Sequence, residues 1–507
     1  MATKVFSAAI VGLESELVEV EADVGNAPSA FIIVGLPDKA VEESKERIRS
    51  AMKNSGLEFP RPKVTVNLAP ADLKKEGPSY DLPIAVSVLA TQEAFMWAPE
   101  DQRALFVGEL SLDGHLRPIP GALSISLLAK RKGFPRIFLP VENAAEANLV
   151  PDLEIMPVTT LSALVLHLTG ERQIAPLNYT PPAPPEGSTS RYDMCYIQGQ
   201  EHVKRALEIA AAGGHNVLMS GPPGAGKTLL ARTLPSILPT LTLEEALEVT
   251  RLYSVSGVMP KESPLLWERP FRAPHHTASG VAVVGGGTIP RPGEISLAHR
   301  GILFLDEFPE FGRAVLENLR QPLEDGVVAV SRAAGTMQFP AKFMLIAAMN
   351  PCPCGYATDP TRHCLCSVGQ VMKYQKRLSG PLLDRIDIHT EVPRLKFEKL
   401  ADTAVAESSS AIRKRVEQAR QKQYARFKGS PILTNAEMSS REVREYCPVS
   451  VGIQTILKNA VTTMHLSARG YYRVLKIART IADLGGEEPI TTSHVTEALQ
   501  YRPKVGE

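Results

Sequence analysis

Near the N-terminus, polar and apolar residues alternate with a period of two at Leu17-Val18-Glu19-Val20-Glu21, the pattern of a strand with one buried face. The apolar stretch Val5–Leu13 runs into that alternation rather than into a cleavage region, which argues against a signal peptide. Phe31–Val34 and Val64–Leu68 read as further strands, and Lys39–Asn54 carries a helical period that Gly56 terminates. Leu82–Ala90 is among the longest apolar runs; it has strand or short-helix length and falls well below the ~18 residues of a membrane span. Later, Asn216–Ser220, Ile302–Leu305 and Phe343–Ala348 alternate with helical patterns up to about residue 395, which predicts a parallel sheet with helices on its faces. From about residue 396 the pattern is helical, with helices expected over Ala411–Lys428 and Val474–Leu484.

Composition adds boundaries. A chain of 507 residues allows roughly three domains. Pro176, Pro181, Pro182, Pro184 and Pro185 crowd one segment that can form neither helix nor sheet interior, so 172–190 reads as a semi-rigid linker. The expected division is 1–171, linker 172–190, 191–395 and 396–507. Lys+Arg is 56 and Asp+Glu 55, a net charge of +1. No whole-surface positive field exists, so nucleic-acid binding requires a local patch or a ring that gathers several copies of one. Membrane attachment is not expected. Four of the six cysteines lie within Cys352–Cys366, which is no disulfide scaffold and points to the reducing cytoplasm.

The candidate chemistry is concentrated after the linker. Gly221-Pro222-Pro223-Gly224-Ala225-Gly226-Lys227-Thr228 fits G-x-x-x-x-G-K-[ST] and sits between an apolar strand and the helix formers Leu229–Leu234. Backbone N–H groups of such a loop wrap the phosphates of ATP, Lys227 reaches the β- and γ-phosphates, and Thr228 holds Mg²⁺. Ile302–Leu305 ends in Asp306 and Glu307, expected to serve the Mg²⁺ shell and the attacking water respectively. The strand Phe343–Met349 ends at Asn350, an amide able to orient that water. Arg385 follows the Gly380-Pro381 break; it reads either as a finger for a neighbouring subunit's site or as a surface arginine paired with Asp384 or Asp387.

On these residues, with Phe271–Ser279, Pro292–Gly301, Asn350–Gly355 and Ser467–Gly470, the central segment resembles the magnesium-chelatase-like branch of the AAA+ ATPases. Over nearly its full length the chain resembles the ComM/YifB family of bacterial competence-associated ATPases. The resemblance implies an α/β multidomain chain with a central AAA+ P-loop parallel-sheet domain and a C-terminal α-helical lid. It gives Asn350 the part of sensor 1, Arg385 the arginine finger and Arg469 sensor 2, the last among the ATP-binding residues. It implies homohexameric rings that drive branch migration of single-stranded or branched DNA during recombination and natural transformation. The alternative is a protein-remodelling ATPase of the chelatase or chaperone type.

Before the linker, Gly77-Pro78-Ser79, Phe106–Ser111, Arg117–Gly121 and Phe138–Asn143 resemble the α+β domain of Lon-type proteases. Lon enzymes activate the serine with a lysine, and the aligned position here holds Leu123, so a non-proteolytic domain is expected. Cys352, Cys354, Cys364 and Cys366 offer four soft ligands for Zn²⁺, with His363 a possible substitute; free thiols or a disulfide are the other readings. Cys195 and Cys447 stand apart. The cations Arg413, Lys414, Arg415, Arg420, Lys422, Arg426 and Lys428 encircle their helix, which reads as a solvated connector rather than a DNA contact. Better DNA candidates are Arg272, His275, His276 and the Gly285–Gly287 run, and a hairpin formed by Val327–Ala329 and Met337–Phe339 around Arg332–Gly335. The face shared by Arg469, Arg473 and Lys476 offers a further phosphate contact.

Overall fold

The computed structural model describes residues 3–92, 97, 101–183, 192–260, 263–287, 291–332, 335–359, 361–395 and 406–503. Part of the Pro-rich linker, the hairpin tip at 333–334 and the first residues of the expected lid lie outside the described residues. The chain forms two compact units, Met1–Pro184 with Ala246–Leu266, and Pro185–Glu245 with Trp267–Glu507.

The first unit is built on a seven-stranded sheet in the order Phe31–Val34, Lys63–Ala69, Glu14–Gly25, Thr3–Val11, Leu105–Phe106, Arg136–Pro140, Glu154–Val158. The alternation at residues 17–21 does what its period requires, with Val18, Val20 and Ala22 fully buried between exposed or half-buried neighbours. Lys39–Asn54 is a helix capped by the Asp38 carboxylate, which accepts from Val41 N at 2.8 Å. Leu82–Ala90 resolves as helix: Asp81–Leu89 is buried on every side, so its sequence lacks the amphipathic period that would have declared it. At its start the buried Asp81 takes two bonds from Arg47, at 2.8 and 3.0 Å.

Leu123 is 1% exposed in the core of this unit, and its backbone N donates to Glu146 at 2.8 Å. Ser79 lies in the 3₁₀ turn Pro78–Tyr80, where its carbonyl accepts from Gly108 N. The position of a Lon-type base is therefore filled by packed hydrocarbon. The segment Ala246–Leu266, which follows the P-loop in sequence, belongs to this unit. Ser254 O accepts from Gly121 N, the Ser254 hydroxyl donates to Glu146, and Arg251 pairs with Glu14 at 2.8 Å.

The second unit carries an all-parallel five-stranded sheet in the order Phe271–Arg272, Ile302–Leu305, Met344–Met349, Val217–Ser220, Ile388–Glu391. Its three central strands are apolar but for Ser220 at the edge that leads to the P-loop, the pattern of a parallel sheet buried on both faces. One continuous core joins this sheet to the C-terminal helices, with Val203, Leu207, Ile346, Ile412, Val416, Val474 and Ile477 all buried within it.

The helix Ser409–Arg426 is not the solvated connector its charges suggested. Ile412, Val416, Ala419, Arg420 and Gln423 are buried along it. Arg420 donates twice to Ala211 O, Arg413 donates to Ser236 O, Arg415 pairs with Glu208 and Glu407, and Arg426 pairs with Asp483. The four arginines are received by carbonyls and carboxylates of the elements packed around the helix, while Lys414 and Lys428 stay exposed.

Candidate nucleotide site

The carboxyl ends of the three central strands assemble the first half of the site. Val217–Ser220 runs into the P-loop, Ile302–Leu305 into Asp306, and Met344–Met349 into Asn350. Gly221 admits no side chain, since a Cβ there would sit 2.2 Å from Val392 O. Gly226 takes φ +90° and caps the helix Lys227–Ile237, turning that helix's free N–H groups toward the loop. Lys227 is 8% exposed, and its Nζ donates to Gly221 O at 2.6 Å, Pro222 O at 3.0 Å and Asn350 Oδ1 at 3.1 Å. Burial lowers its pKa, with the charge of Asp306 opposing. These are the bonds that phosphate oxygens would exchange with, and a desolvated ammonium gains most from such an exchange.

The Thr228 hydroxyl donates to Asp306 Oδ2 at 2.7 Å, and Glu307 N donates to Asp306 Oδ1 at 2.9 Å. A hydroxyl and a carboxylate oxygen at that separation form the donor pair that Mg²⁺ accepts. Glu307 is held at φ +52° with its carboxylate half-exposed, and His276 Nδ1 lies 3.0 Å from Glu307 Oε2. The sequence placed His276 among the DNA candidates and did not join it to Glu307; no spacing rule links residues 31 positions apart.

Arg385 and Arg469 are elsewhere. Arg385 precedes the strand Ile388–Glu391, whose register pairs Ile388 with Val217 and Glu391 with Ser220. Both strands are parallel, so Arg385 stands at the amino edge of the sheet while the P-loop leaves from the carboxyl edge, about 13 Å of strand away. Arg385 O accepts from Asn216 Nδ2 at 3.2 Å, just before the strand that leads to the P-loop. Its guanidinium is 8% exposed, donates to Pro381 O at 2.6 Å and pairs with Glu324 rather than with Asp384 or Asp387. Arg469, at the start of the helix Ala468–Gly485, joins the same Glu324 at 2.8 Å. Arg473 does not share this role: its Nε pairs with Asp387 at 3.1 Å, and Lys476 donates to Ala436 O at 2.8 Å.

The cysteine cluster follows Asn350 directly. Sγ of Cys352 lies 3.3 Å from Cys354 and 3.6 Å from Cys364, and Cys354 lies 3.6 Å from Cys364. All four sulfurs, Cys366 included, fall within 4.8 Å of one another. A tetrahedron of Zn–S bonds near 2.3 Å has edges of about 3.8 Å, so this donor set fits Zn²⁺. Backbone N–H groups of Tyr356 and Leu365 bring the Cys354 thiol down to about 6, while Cys364 and Cys366 are raised, the backbone N–H each accepts being outweighed by burial and the neighbouring sulfurs. His363 is exposed and outside this group. The loop abuts the nucleotide site, because a Cβ on Gly355 would lie 2.5 Å from Pro223 Cδ.

Fold and site together define a P-loop ATPase of the AAA+ type. Family models describe the chain piecewise: residues 193–400 match "Magnesium chelatase, subunit ChlI", 20–143 "Subunit ChlI of Mg-chelatase", and 406–502 "Magnesium chelatase, subunit ChlI C-terminal". Competence protein ComM of Haemophilus influenzae is 44% identical over 513 residues, covering 99% of this chain and 97% of that protein. YifB of Salmonella typhimurium is 44% identical over 501 residues, covering 98% and 96% respectively. Lon protease 3 of Sorangium cellulosum is 30% identical over 226 residues, 43% of this chain and 26% of the protease. The chain belongs to the ComM/YifB family of magnesium-chelatase-like AAA+ ATPases. Among the described residues no helix is long and apolar enough to cross a membrane.

Proposed function

We propose that this protein is the subunit of a hexameric, ATP-driven motor that moves single-stranded or branched DNA. The observation that carries the reading is the division of the nucleotide machinery between opposite edges of one sheet. Lys227, Thr228, Asp306, Glu307 and Asn350 gather at the carboxyl edge, and Arg385 with Arg469 at the amino edge. A ring completes each site by setting one subunit's amino edge against the next subunit's P-loop. Arg469 then serves as a phosphate contact for the neighbour's ATP, not for its own subunit's.

In this mechanism the P-loop N–H groups, with Lys227, bind the β- and γ-phosphates. Thr228 and Asp306 would hold Mg²⁺, which would supply neutralisation of the phosphate charge. Asn350 positions a water, and Glu307 polarises it, accepting its proton as the oxygen bonds to the γ-phosphorus and the bond from that phosphorus to the β,γ-bridging oxygen breaks, so that ADP leaves with the electron pair. Arg385 of the neighbouring subunit receives the charge that develops on the γ-phosphoryl oxygens, an effect worth about 10³–10⁵ in rate. Cys352, Cys354, Cys364 and Cys366 would hold a structural Zn²⁺, which would cross-link the loop behind Pro223.

The DNA assignment is supported by the match to a competence protein over 99% of the chain. It is also supported by the hairpin Val327–Arg332 and Gly335–Pro340, which precedes the strand that ends at Asn350. The near-neutral chain binds DNA weakly as a single subunit, and assembly concentrates the contact. The test is the ATPase rate with no DNA and with single-stranded, duplex, forked and four-way DNA. Stimulation by forked or four-way DNA is expected. Brisk hydrolysis indifferent to every DNA favours instead a protein-remodelling ATPase, the reading to which the chelatase family descriptions point.

A further inference from the structure

Glu324 belongs to none of the motifs, yet both trans-acting arginines end on it. Its Oε2 takes Arg385 Nη2 and its Oε1 takes Arg469 Nη2, so one carboxylate is shared by two guanidiniums that come from distant parts of the chain. The hydrogen bond from Arg385 and the charges of Arg385 and Arg469 hold the Glu324 carboxyl below its usual range. The arrangement is not a core ion pair: Glu324 is 47% exposed and Arg469 56%. The buried Nε of Arg385 has no hydrogen-bond partner among the described residues, which leaves that guanidinium incompletely satisfied. Beside Glu324 and Arg385 lies a cavity of about 540 Å³, lined also by Arg473, Lys476 and Lys342.

Glu324 also has a place in the chain that matters. It sits in the last turn of the helix Arg320–Asp325, which Gly326 ends at φ +67°. Val327 then begins the hairpin at once, and Val327 pairs with Pro340 to close its base. Ala341 N donates to Gly326 O at 2.7 Å, fixing the helix end to the hairpin's second strand. A displacement of Glu324 is therefore a displacement of the hairpin's foot.

We propose that Glu324 is a positioning residue that holds Arg385 and Arg469 in the unassembled subunit, releases them to the γ-phosphate of a neighbouring subunit's ATP, and by that release passes nucleotide loading to the hairpin Val327–Pro340. The proposal rests on the reading of Arg385 and Arg469 as acting in trans. A γ-phosphate carries more negative charge than one carboxylate and offers three acceptor oxygens, so it displaces Glu324 from both guanidiniums. Glu324 thereby opposes assembly in the absence of ATP and keeps the hairpin in one position until a loaded neighbour arrives.

The experiment compares full-length wild type, Glu324→Gln and Arg385→Ala by sedimentation with a non-hydrolysable ATP analogue, by thermal midpoint, and by ATPase with and without forked DNA. In Glu324→Gln the competing charge is gone, so half-assembly occurs at a protein concentration about tenfold lower than in wild type. Its stimulation by DNA falls toward one because basal turnover rises, while its thermal midpoint falls, since the buried Arg385 guanidinium loses its charged partner. A purely structural role predicts the opposite signs, weaker assembly and lower basal turnover. Glu324→Gln that assembles at or above the wild-type concentration overturns the proposal. If that variant does not fold, amide exchange of the wild type decides: residues 319–328 exchange faster after analogue-driven assembly, and unchanged or slower exchange overturns the idea. Arg385→Ala separates the two levels. If it assembles and hydrolyses like wild type, the trans reading itself fails; if it is impaired while Glu324→Gln matches wild type, only the role of Glu324 fails.

Discussion

Mixing two inactive variants restores activity if each nucleotide site is built from two subunits. Lys227→Ala removes an ammonium that makes three bonds within its own P-loop region. Arg385→Ala removes a guanidinium at the opposite edge of the sheet. Four strand residues at about 3.3 Å each separate the two ends, so Arg385 reaches no phosphate bound to its own subunit. Each pure variant should fall by about 10³ or more, the first for want of phosphate binding and the second for want of transition-state charge compensation. In a ring assembled at random from equal amounts, an interface is intact when an unaltered Lys227 faces an unaltered Arg385. That happens at about a quarter of interfaces, so the mixture should recover about a quarter of the wild-type rate per interface. The assay is steady-state phosphate release at a protein concentration where wild type is assembled, with the two variants denatured together or exchanged under low salt before mixing. A mixture no faster than the mean of its parts, while co-sedimentation shows mixed rings, would refute the division of the site between subunits.

Glu307→Gln should bind ATP with near-wild-type affinity and lose turnover by at least about 10², since Thr228 and Asp306 keep their geometry; equilibrium binding beside single-turnover hydrolysis reports both. His276→Ala frees the Glu307 carboxylate from its 3.0 Å contact, so basal hydrolysis should rise about two- to tenfold and its dependence on DNA shrink, measured as the ratio of rates with and without forked DNA. Protein never exposed to added zinc should contain close to one Zn²⁺ per chain by elemental analysis, and Cys354→Ser with Cys364→Ser should release it; near-zero metal with four titratable thiols contradicts the assignment. Burial alone would raise the Asp387 carboxyl, but the close approach of His215 Nδ1 at 3.4 Å and the charge of Arg473 hold it far below the ordinary carboxylate range. A depressed pKa stabilises the fold above the unfolded value and loses that stability as pH falls from about 4 downward. Asp387→Asn should therefore cost about 3 kcal/mol at pH 7 and flatten the acid limb of a denaturation series, as it removes the charge paired with the largely buried Arg473 guanidinium.

What the sequence carried well is local. Strands Phe31–Val34 and Ile302–Leu305 appear with the bounds their apolar runs imply, and Lys39–Asn54 is ended by the Gly that marks it. The P-loop was legible because its glycines and lysine are adjacent in sequence and perform one backbone task. What was not legible depends on pairing across the fold. Leu82–Ala90 had no period to read because no side of it meets water. The helix Ser409–Arg426 looked solvated because nothing in its own sequence reveals Ala211, Glu208 or Asp483 as partners for its arginines. The assignment of Ala246–Leu266 to the first compact unit, the meeting of Arg385 and Arg469 at Glu324, and the contact of His276 with Glu307 are likewise facts of topology.

The central claim is that ATP turnover by this chain moves branched DNA. The measurement is release of a labelled strand from a synthetic four-way junction with homologous arms, followed over time with ATP across a salt series, with Lys227→Ala as control. Wild type should convert the junction to two duplexes only with hydrolysable ATP. The rate should be nearly independent of base sequence and fall steeply with salt, because phosphate contacts release counterions together. Wild type that is assembled and hydrolysing, yet leaves the junction intact at every salt concentration, would contradict the account.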